Sequence, residues 1–583
     1  MKEPQKKTFR RLGRQLRSEH LSDAIRTTAC IFLPALMLYH LGYSSHSIAF
    51  GTGALLTAAT DGPNTLQGKI RSAMENLVLF AICSMLICYG LASVSLAALV
   101  LLLVTFGCAV IACFGQRYAL SGTMATALCI FAIGLKPIDP IQFTLGVLSG
   151  GAFYYALSIL HQLALPFRSL EQAIAECLKL TSAFVRAKAD CYDPTIPLAG
   201  VQVEIILLHI RISEKQQLIR SLLLAENQKR MQRSAKGRRL FGLCLVLMDL
   251  YQQFSASYHN YQKIRSQLWG SGTMPAIIGL IHLQASLIEH LDDLPAAEVL
   301  RDRFHRELIH LGQLSPGLTT AQRQLTFAIS NNLANSDGLI NQLSGIIQGR
   351  KTGTQKTMDT APLADYQNFI SPPPLTLGTL FSQLSLKNPI FRFSLRLALL
   401  ISASFVLTEA LQLGRYTYWL LLTILVVARP KLALTFRRNK QRLIGTLIGM
   451  AIAVVVLSMT GNPYILLSTA AVLLTAFFFY ARLDYLVAVA VLTPSILIGL
   501  ALTEGTWPMM FAQRLLYTAI GCALALIAAY LFPVWETSRI KGLLIDTYAT
   551  ALAYLKASLE SQGTGPAAAA ALRFARKENY QAT

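Results

Sequence analysis

Charge is scarce in this sequence, and acid is scarcer than base. Only 14% of the residues are Asp, Glu, Lys or Arg, and 30 acidic residues stand against 52 basic ones, for a net charge of +22. A soluble helical protein would carry more charge and spread its apolar residues periodically; here the apolar residues, 53% of the chain, are gathered in blocks. On a soluble chain such a basic excess would point to nucleic acid. In this chain the basic residues crowd the ends of apolar stretches, where anionic lipid head groups at the cytoplasmic face and the positive-inside rule place them, so no nucleic-acid partner is expected.

Other absences narrow the chemistry. There is no Gly-x4-Gly-Lys-Ser/Thr phosphate loop, so an ATP-driven pump is not expected from this chain. The ten cysteines offer no metal or disulfide framework: Cys83 and Cys88, like Cys108 and Cys113, are five apart and do not share a helix face. His305 and His310 are spaced equally badly for a shared metal. No nucleophile or paired-carboxylate constellation occurs, so neither an enzyme nor a cofactor is expected. The basic N-terminus is not followed by a small-residue cleavage site, which argues against a cleaved signal peptide.

What is present is a hydrophobic architecture that comes twice. Membrane-length apolar stretches fill 24–164, near Ala24–Leu41, Ser45–Ala59, Met74–Ser93, Ser95–Phe114, Ala119–Leu135 and Ile141–Ala164. A second set fills 388–533, near Phe393–Leu413, Tyr416–Ala428, Leu443–Met459, Tyr464–Tyr480, Tyr485–Leu502 and Met509–Phe532. Ser45–Ala59 and Tyr416–Ala428 are short for a full crossing. The expected fold is an all-α membrane protein of about twelve spans, six per half.

Lys and Arg alternate along these spans. Lys2, Lys6, Lys7, Arg10, Arg11, Arg14 and Arg17 make 1–23 a basic, cytoplasmic N-terminus. Lys69, Arg71, Arg117, Arg168, Arg429, Lys431, Arg437, Arg438, Lys440, Arg482, Arg539 and Lys541 fall on expected inner loops, and only Lys136 and Arg415 on outer ones. Both halves then share one orientation and are expected to be parallel repeats about an axis along the membrane normal. Arg26 corresponds to Arg396, Leu41-Gly42-Tyr43 to Leu413-Gly414-Arg415, and Arg71 to Arg442.

Between the halves, 165–349 reads as a cytoplasmic helical bundle, with apolar residues at three- and four-residue spacing over Leu170–Val185, Val201–Leu224, Leu240–Gln267, Pro275–Leu294, Ala297–Leu311 and Thr320–Ile347. The polar stretch 350–387, with Ser371-Pro372-Pro373-Pro374, reads as a linker, and 534–583 as a cytoplasmic tail. The run Lys229-Arg230-Met231-Gln232-Arg233 lacks interleaved aromatics and reads as a solvated or lipid-facing surface.

The sharpest local pattern is Arg-x3-Thr-x2-Gly, present as Arg442, Thr446, Gly449 and as Arg514, Thr518, Gly521. Each triplet shares one helix face. The arginines either line a path for anionic solutes or are structural, Arg442 capping the inner interface while Thr446 and Gly449 pack helices and Arg514 snorkelling to the outer one; Tyr416, Tyr418 and Trp419 form either an interface belt or a surface for a ring-bearing substrate. Glu409 is a candidate partner of Arg514 or a proton site, and Asp61 stands opposite Arg429 in the repeat. Gly146 and Gly150, like Gly445 and Gly449, make Gly-x3-Gly faces for close helix packing.

The segments Tyr416-Thr417-Tyr418-Trp419-Leu420-Leu421-Leu422-Thr423, Arg442-x3-Thr446-x2-Gly449 and Arg514-Leu515-Leu516-Tyr517-Thr518-Ala519-Ile520-Gly521-Cys522 resemble the fusaric-acid-resistance (FUSC) family. Two membrane halves around a cytoplasmic helical region look most like its YccS/YhfK branch of bacterial inner-membrane proteins. The resemblance implies export of small organic anions or aromatic acids, driven by a proton or solute gradient, with a second copy or a periplasmic adaptor as a compatible partner. It departs in one place: the family usually carries a second cytoplasmic helical domain after the last span, and Arg573-Phe574-Ala575-Arg576-Lys577 looks like the start of one. The alternative from another class is a non-transporting membrane scaffold whose bundle binds a partner.

Overall fold

The computed structural model describes residues 4–348 apart from the short stretches 226–230, 232–233, 257–259, 269, 292 and 315–316, then 385, 388–531 apart from 482 and 505–506, and 537–560. The linker 350–387 thus lies outside the described residues except for Ser385, as do most of the basic run at 229–233, Arg482 and the tail beyond Glu560. Every described element is helical. In the N-terminal part these are α1 (Pro4–His40), α2 (Ser44–Thr60), α3 (Leu66–Gly90), α4 (Val94–Val110), α5 (Gln116–Leu135) and α6 (Pro140–Ala164). Next come α7 (Arg168–Tyr192), α8 (Leu198–Ala225), α9 (Ala235–Ala256), α10 (Tyr261–Leu268), α11 (Thr273–Glu289), α12 (Leu294–Gln313) and α13 (Thr320–Ile347). The C-terminal part holds α14 (Pro389–Ala410), α15 (Tyr418–Val427), α16 (Leu432–Met459), α17 (Pro463–Tyr480), α18 (Tyr485–Glu504), α19 (Trp507–Leu531) and α20 (Thr537–Glu560).

Among the described residues 10 helices are long and apolar enough to cross a membrane: α1 over its last 20 residues, α3, α4 with its 3-10 extension, α5, α6, α14, α16, α17, α18 and α19. The other two expected spans are shorter. Helix α2 has 17 residues and α15 only 10. At 1.5 Å per residue α15 covers roughly half of a hydrocarbon core of about 30 Å. Its limits have local causes. Gly414 (φ 92) and the 3-10 turn Arg415–Thr417 delay its start. Pro430 disfavours helix at Arg429, whose N–H is taken up by Thr435 Oγ1 at 3.0 Å.

The described residues form two compact units. One gathers those within Met1–Arg17, Pro63–Gly68 and Gln162–Ile370. At its centre lies α11, apolar on all sides, with Ile277, Leu280, Leu287 and Ile288 buried against α7, α12 and α13. Arg265 of α10 closes the end of α7 by donating to the carbonyls of Asp190, Cys191 and Ile196 at 2.9–3.0 Å. The expected helix Leu240–Gln267 is two helices, because Asn260 caps the N–H of Lys263 and starts α10 anew. Burial pushes Lys188 down to about 8, where it donates to the Phe254 carbonyl. Burial also holds Glu289 above its ordinary value, although Ser182 and Arg186 hydrogen-bond to it.

The other unit gathers the described residues of Ser18–Gly62, Lys69–His161 and those from Ser371 onward. Helix α4 packs on α14, where Ser402 donates to the Ala98 carbonyl at 2.8 Å, and α5 packs on both α2 and α15. One close approach recurs. A Cβ on Gly150 of α6 would collide with the Phe50 carbonyl of α2, and a Cβ on Gly521 of α19 would lie 2.9 Å from the Leu420 carbonyl of α15. The two pairs are offset along the chain by the same distance to within one residue. The ends of α1 and α14 also match: Tyr43 N–H bonds to Leu38 O, and Leu413 N–H to Thr408 O.

Candidate functional site: two buried arginines

Helix α16 carries polar residues on its inner face. Thr435, Asn439, Arg442, Thr446 and Gly449 are buried and recur every three or four residues. A helix in lipid turns its polar side inward because hydrocarbon cannot solvate it. Glycines let neighbours close on this stripe. A Cβ on Gly445 would lie 2.9 Å from the Leu486 carbonyl and one on Gly449 2.7 Å from the Ala490 carbonyl, both on α18. Asn439 Nδ2 donates to the Cys522 carbonyl of α19 at 3.0 Å, which sets α16 against α19.

Helix α19 brings in Arg514, 4% exposed, beside Arg442 at 7%. The Arg514 guanidinium lies 4.8 Å from the centroid of the Trp419 ring, and Trp419 in turn stacks on Tyr416 at 4.8 Å. Arg442 is near enough for the two cations to repel one another. Neither forms an ion pair or a side-chain hydrogen bond among the described residues. Orphaned polar atoms accumulate on the same helices: Arg442 Nε, Asn439 Oδ1, Thr446 Oγ1, Tyr485 Oη and Gln513 Oε1 are buried without a partner. Among the described residues, the second half therefore holds two buried cations with donors in reserve and no carboxylate paired with them.

Several expected roles change. Glu409 is half-buried and makes no ion pair with Arg514; it lines a cavity beside Lys136, while Arg514 is occupied by Trp419. Asp61 does not meet Arg429. Its carboxylate pairs with Lys69 at 3.2 Å and accepts from Ser158 at 2.7 Å. Lys69 is 9% exposed and so is no free loop charge. The carbonyl of Arg429 accepts from Arg396 at 2.7 Å. Thr518 donates its hydroxyl to the Arg514 carbonyl at 2.7 Å, as threonines in apolar helices do, which leaves Thr446 as the threonine with a free hydroxyl. On α6, a Cβ on Gly146 would lie 2.7 Å from Ala49 Cβ.

Asn439, Tyr485 and Gln513 had no place in the sequence pattern. Asn439 sits inside Arg437-Arg438-Asn439-Lys440, where the charges hide it, and Gln513 is simply the neighbour of Arg514. Asn439 alone carried a signal, a polar side chain at helix spacing from Arg442; Gln513 and Tyr485 carried none. Among the described residues no group of three or more His, Cys, Asp or Glu is arranged to hold a metal ion.

An all-α chain with 10 membrane-length helices and a buried cationic layer is a multi-pass membrane protein. Comparison with known proteins narrows the class. A profile described as FUSC-like inner membrane protein yccS matches residues 74–349, and one described as fusaric acid resistance protein-like matches 399–528. The chain belongs to the fusaric-acid-resistance-like (FUSC) family, among its YccS-type inner membrane proteins. It is 26% identical to inner membrane protein YccS of Escherichia coli over 93% of its own length and 76% of that protein's. An uncharacterized protein of Haemophilus influenzae is 22% identical over 94% of this chain and 77% of its own. Escherichia coli YhfK is 30% identical over 28% of this chain and 24% of its own. No solved structure matches.

Proposed function

We propose that this protein exports small organic anions, aromatic carboxylic acids in particular, across the bacterial inner membrane, and that Arg442 and Arg514 bind the carboxylate. The observation that carries this reading is a pair of buried guanidinium groups with no carboxylate partner among the described residues. A charge held at the centre of a bilayer costs a few kcal/mol or more. A cation–π contact with Trp419 returns about 2 kcal/mol when desolvated, and only to Arg514. The balance favours a bound anion, for which a planar guanidinium offers two parallel donors. Thr446 supplies a third, and the Tyr416–Trp419 stack offers an aromatic surface to the ring of the acid. The membership in a family described as fusaric acid resistance protein-like supports the same substrate class.

The two halves act as parallel repeats, a reading supported by the matching Gly150–Phe50 and Gly521–Leu420 approaches. Both termini and 165–349 lie in the cytoplasm, as the Lys/Arg alternation requires. Export runs on the proton gradient or on the solute gradient, without covalent chemistry. The test is efflux of a labelled aromatic acid from cells. Arg514→Gln should abolish it with the protein still inserted and abundant, and Arg514→Lys should keep a part. Normal efflux in Arg514→Gln at normal protein levels would defeat the anion site.

A further inference from the structure

Helix α5 ends at Gly134 and Leu135, with Lys136 in the left-handed conformation (φ 44). Beside this end lies a cavity of about 500 Å³, bounded by Gly134 and Lys136 on one side and by Glu409, Gln412 and Leu413 on the other. That volume falls within the usual range of roughly 300–1,000 Å³ for small-molecule pockets. Two contacts connect it to the buried arginines. The carbonyl of Leu413, in the cavity wall, accepts from the hydroxyl of Tyr517, one turn along α19 from Arg514. The ring of Tyr418 lies flat against Gly134, so close that a Cβ there would stand 2.5 Å from Cδ1 and 2.6 Å from Cγ. The centroid of that ring is also 5.7 Å from the Trp419 ring, on which Arg514 rests.

We propose that this cavity is the mouth through which the carboxylate passes to or from the Arg514–Trp419 site, and that the Tyr418 ring is the gate between them, seated on the bare face of Gly134. The proposal rests on the anion-site reading above and assigns that site its access route. A side-chain rotation of Tyr418 opens the route without moving a helix. Lys136 is the cation that first receives the carboxylate, and Glu409 in the same wall repels it. An anion is therefore held more weakly in the mouth than by two arginines that have no acid partner among the described residues. Glycine at 134 is what the ring needs: any larger residue pushes it off its seat.

Stopped-flow tryptophan fluorescence of the full chain in lipid nanodiscs, with 4-nitrobenzoate as the quenching probe, separates the two readings. Trp419 is one of four tryptophans, and Trp419→Phe assigns its share of the signal. The parent should show saturable quenching that Arg514→Gln removes. Tyr418→Ala should raise both the association and the dissociation rate about tenfold, equivalent to roughly 1.4 kcal/mol off the barrier, with little change in Kd. Tyr418→Phe should keep the parent's rates, because the ring remains. Gly134→Ala, which displaces the ring without deleting it, should shift the rates in the same direction as Tyr418→Ala and serves if that variant does not accumulate. Arg514-dependent quenching with unchanged rates in Tyr418→Ala and Gly134→Ala overturns the gate and leaves the anion site standing. Quenching that is absent in the parent, or indifferent to Arg514→Gln, overturns the anion site and the gate with it.

Discussion

Each half of the apolar unit buries a set of polar side chains, and the two sets are built on opposite plans. In the N-terminal half Asp61 pairs with Lys69, Ser158 bridges them at 2.7 Å to each, and Tyr154 donates to the same carboxylate at 3.3 Å. Asn76 donates to Tyr155 at 2.6 Å and to Thr60 at 3.2 Å. This set is neutral and its members bond to one another, a closed set, although Thr57 Oγ1 and Thr105 Oγ1 in the same half are buried without a partner among the described residues. In the C-terminal half Arg442 and Arg514 are buried without an acid paired to them among the described residues, near orphaned Thr446, Tyr485 and Gln513. On the function proposed above, the closed set holds helices in place and the open set binds the anion, so that charge balance, not burial, separates the two.

The sharpest break of that contrast is to remove one charge from each half. Lys69→Met leaves the buried Asp61 carboxylate with hydroxyl donors but without its cation, and breaking a buried pair in this way costs roughly 3–5 kcal/mol. Thermal unfolding in detergent should show a large fall, or the protein should fail to accumulate. Arg514→Gln removes a charge with no partner to strand. It should leave stability unchanged or raised by up to a few kcal/mol while efflux is lost. A destabilised Arg514→Gln would mean that the second set is as structural as the first.

Ligand addition sharpens the same point. An aromatic carboxylate at about 100 times its Kd should stabilise the parent by roughly 2.7 kcal/mol, and this increment should vanish in Arg514→Gln. The Lys69–Asp61 pair, already neutral, should contribute nothing to it.

A buried lysine offers a milder comparison, because it escapes its burial by losing a proton and an arginine does not. Lys188 has its value lowered from 10.5 to about 8 by burial. The unfolded chain binds more protons than the folded one between these values, so stability at this residue rises as pH climbs through that window and is flat below it. The gain is on the order of 1–3 kcal/mol, and Lys188→Met should remove it from a pH series of unfolding curves.

The smallest expected effects concern neutral groups. Asn76→Leu leaves Tyr155 and Thr60 without their donor and should cost about 1–3 kcal/mol. Thr446→Val deletes a hydroxyl that bonds to nothing, so stability should change by under about 0.5 kcal/mol while transport weakens. Equal losses of stability in the two variants would erase the distinction between the closed and the open set.

Much of this was legible along the chain. Ten membrane-length helices lie where hydropathy expected them, because desolvating a run of some twenty apolar residues is a local property. The arginines of the Arg-x3-Thr-x2-Gly pattern were legible too, since a charge inside such a run is conspicuous. The break at Asn260 and the shortness of α15 depend on one cap and one proline, signals that a periodic reading averages away. Lys69 was misread as a loop charge because it lies at the foot of α3, next to Arg71, and only Ser158 and Asp61 across the fold reveal its burial.

Composition and order of residues alone decided that this chain is a helical, multi-pass membrane protein with cations buried in its second half. Hydrophobic transfer and helix periodicity act within one stretch of sequence and need no knowledge of neighbours. Which buried charges are neutralised was decided only by tertiary packing. Ion pairing and hydrogen bonding operate over about 3–4 Å, between groups that packing brings together from distant parts of the chain. Packing thus gave Asp61 to Lys69, turned Glu409 toward a cavity, and left Arg442 and Arg514 without an acid among the described residues.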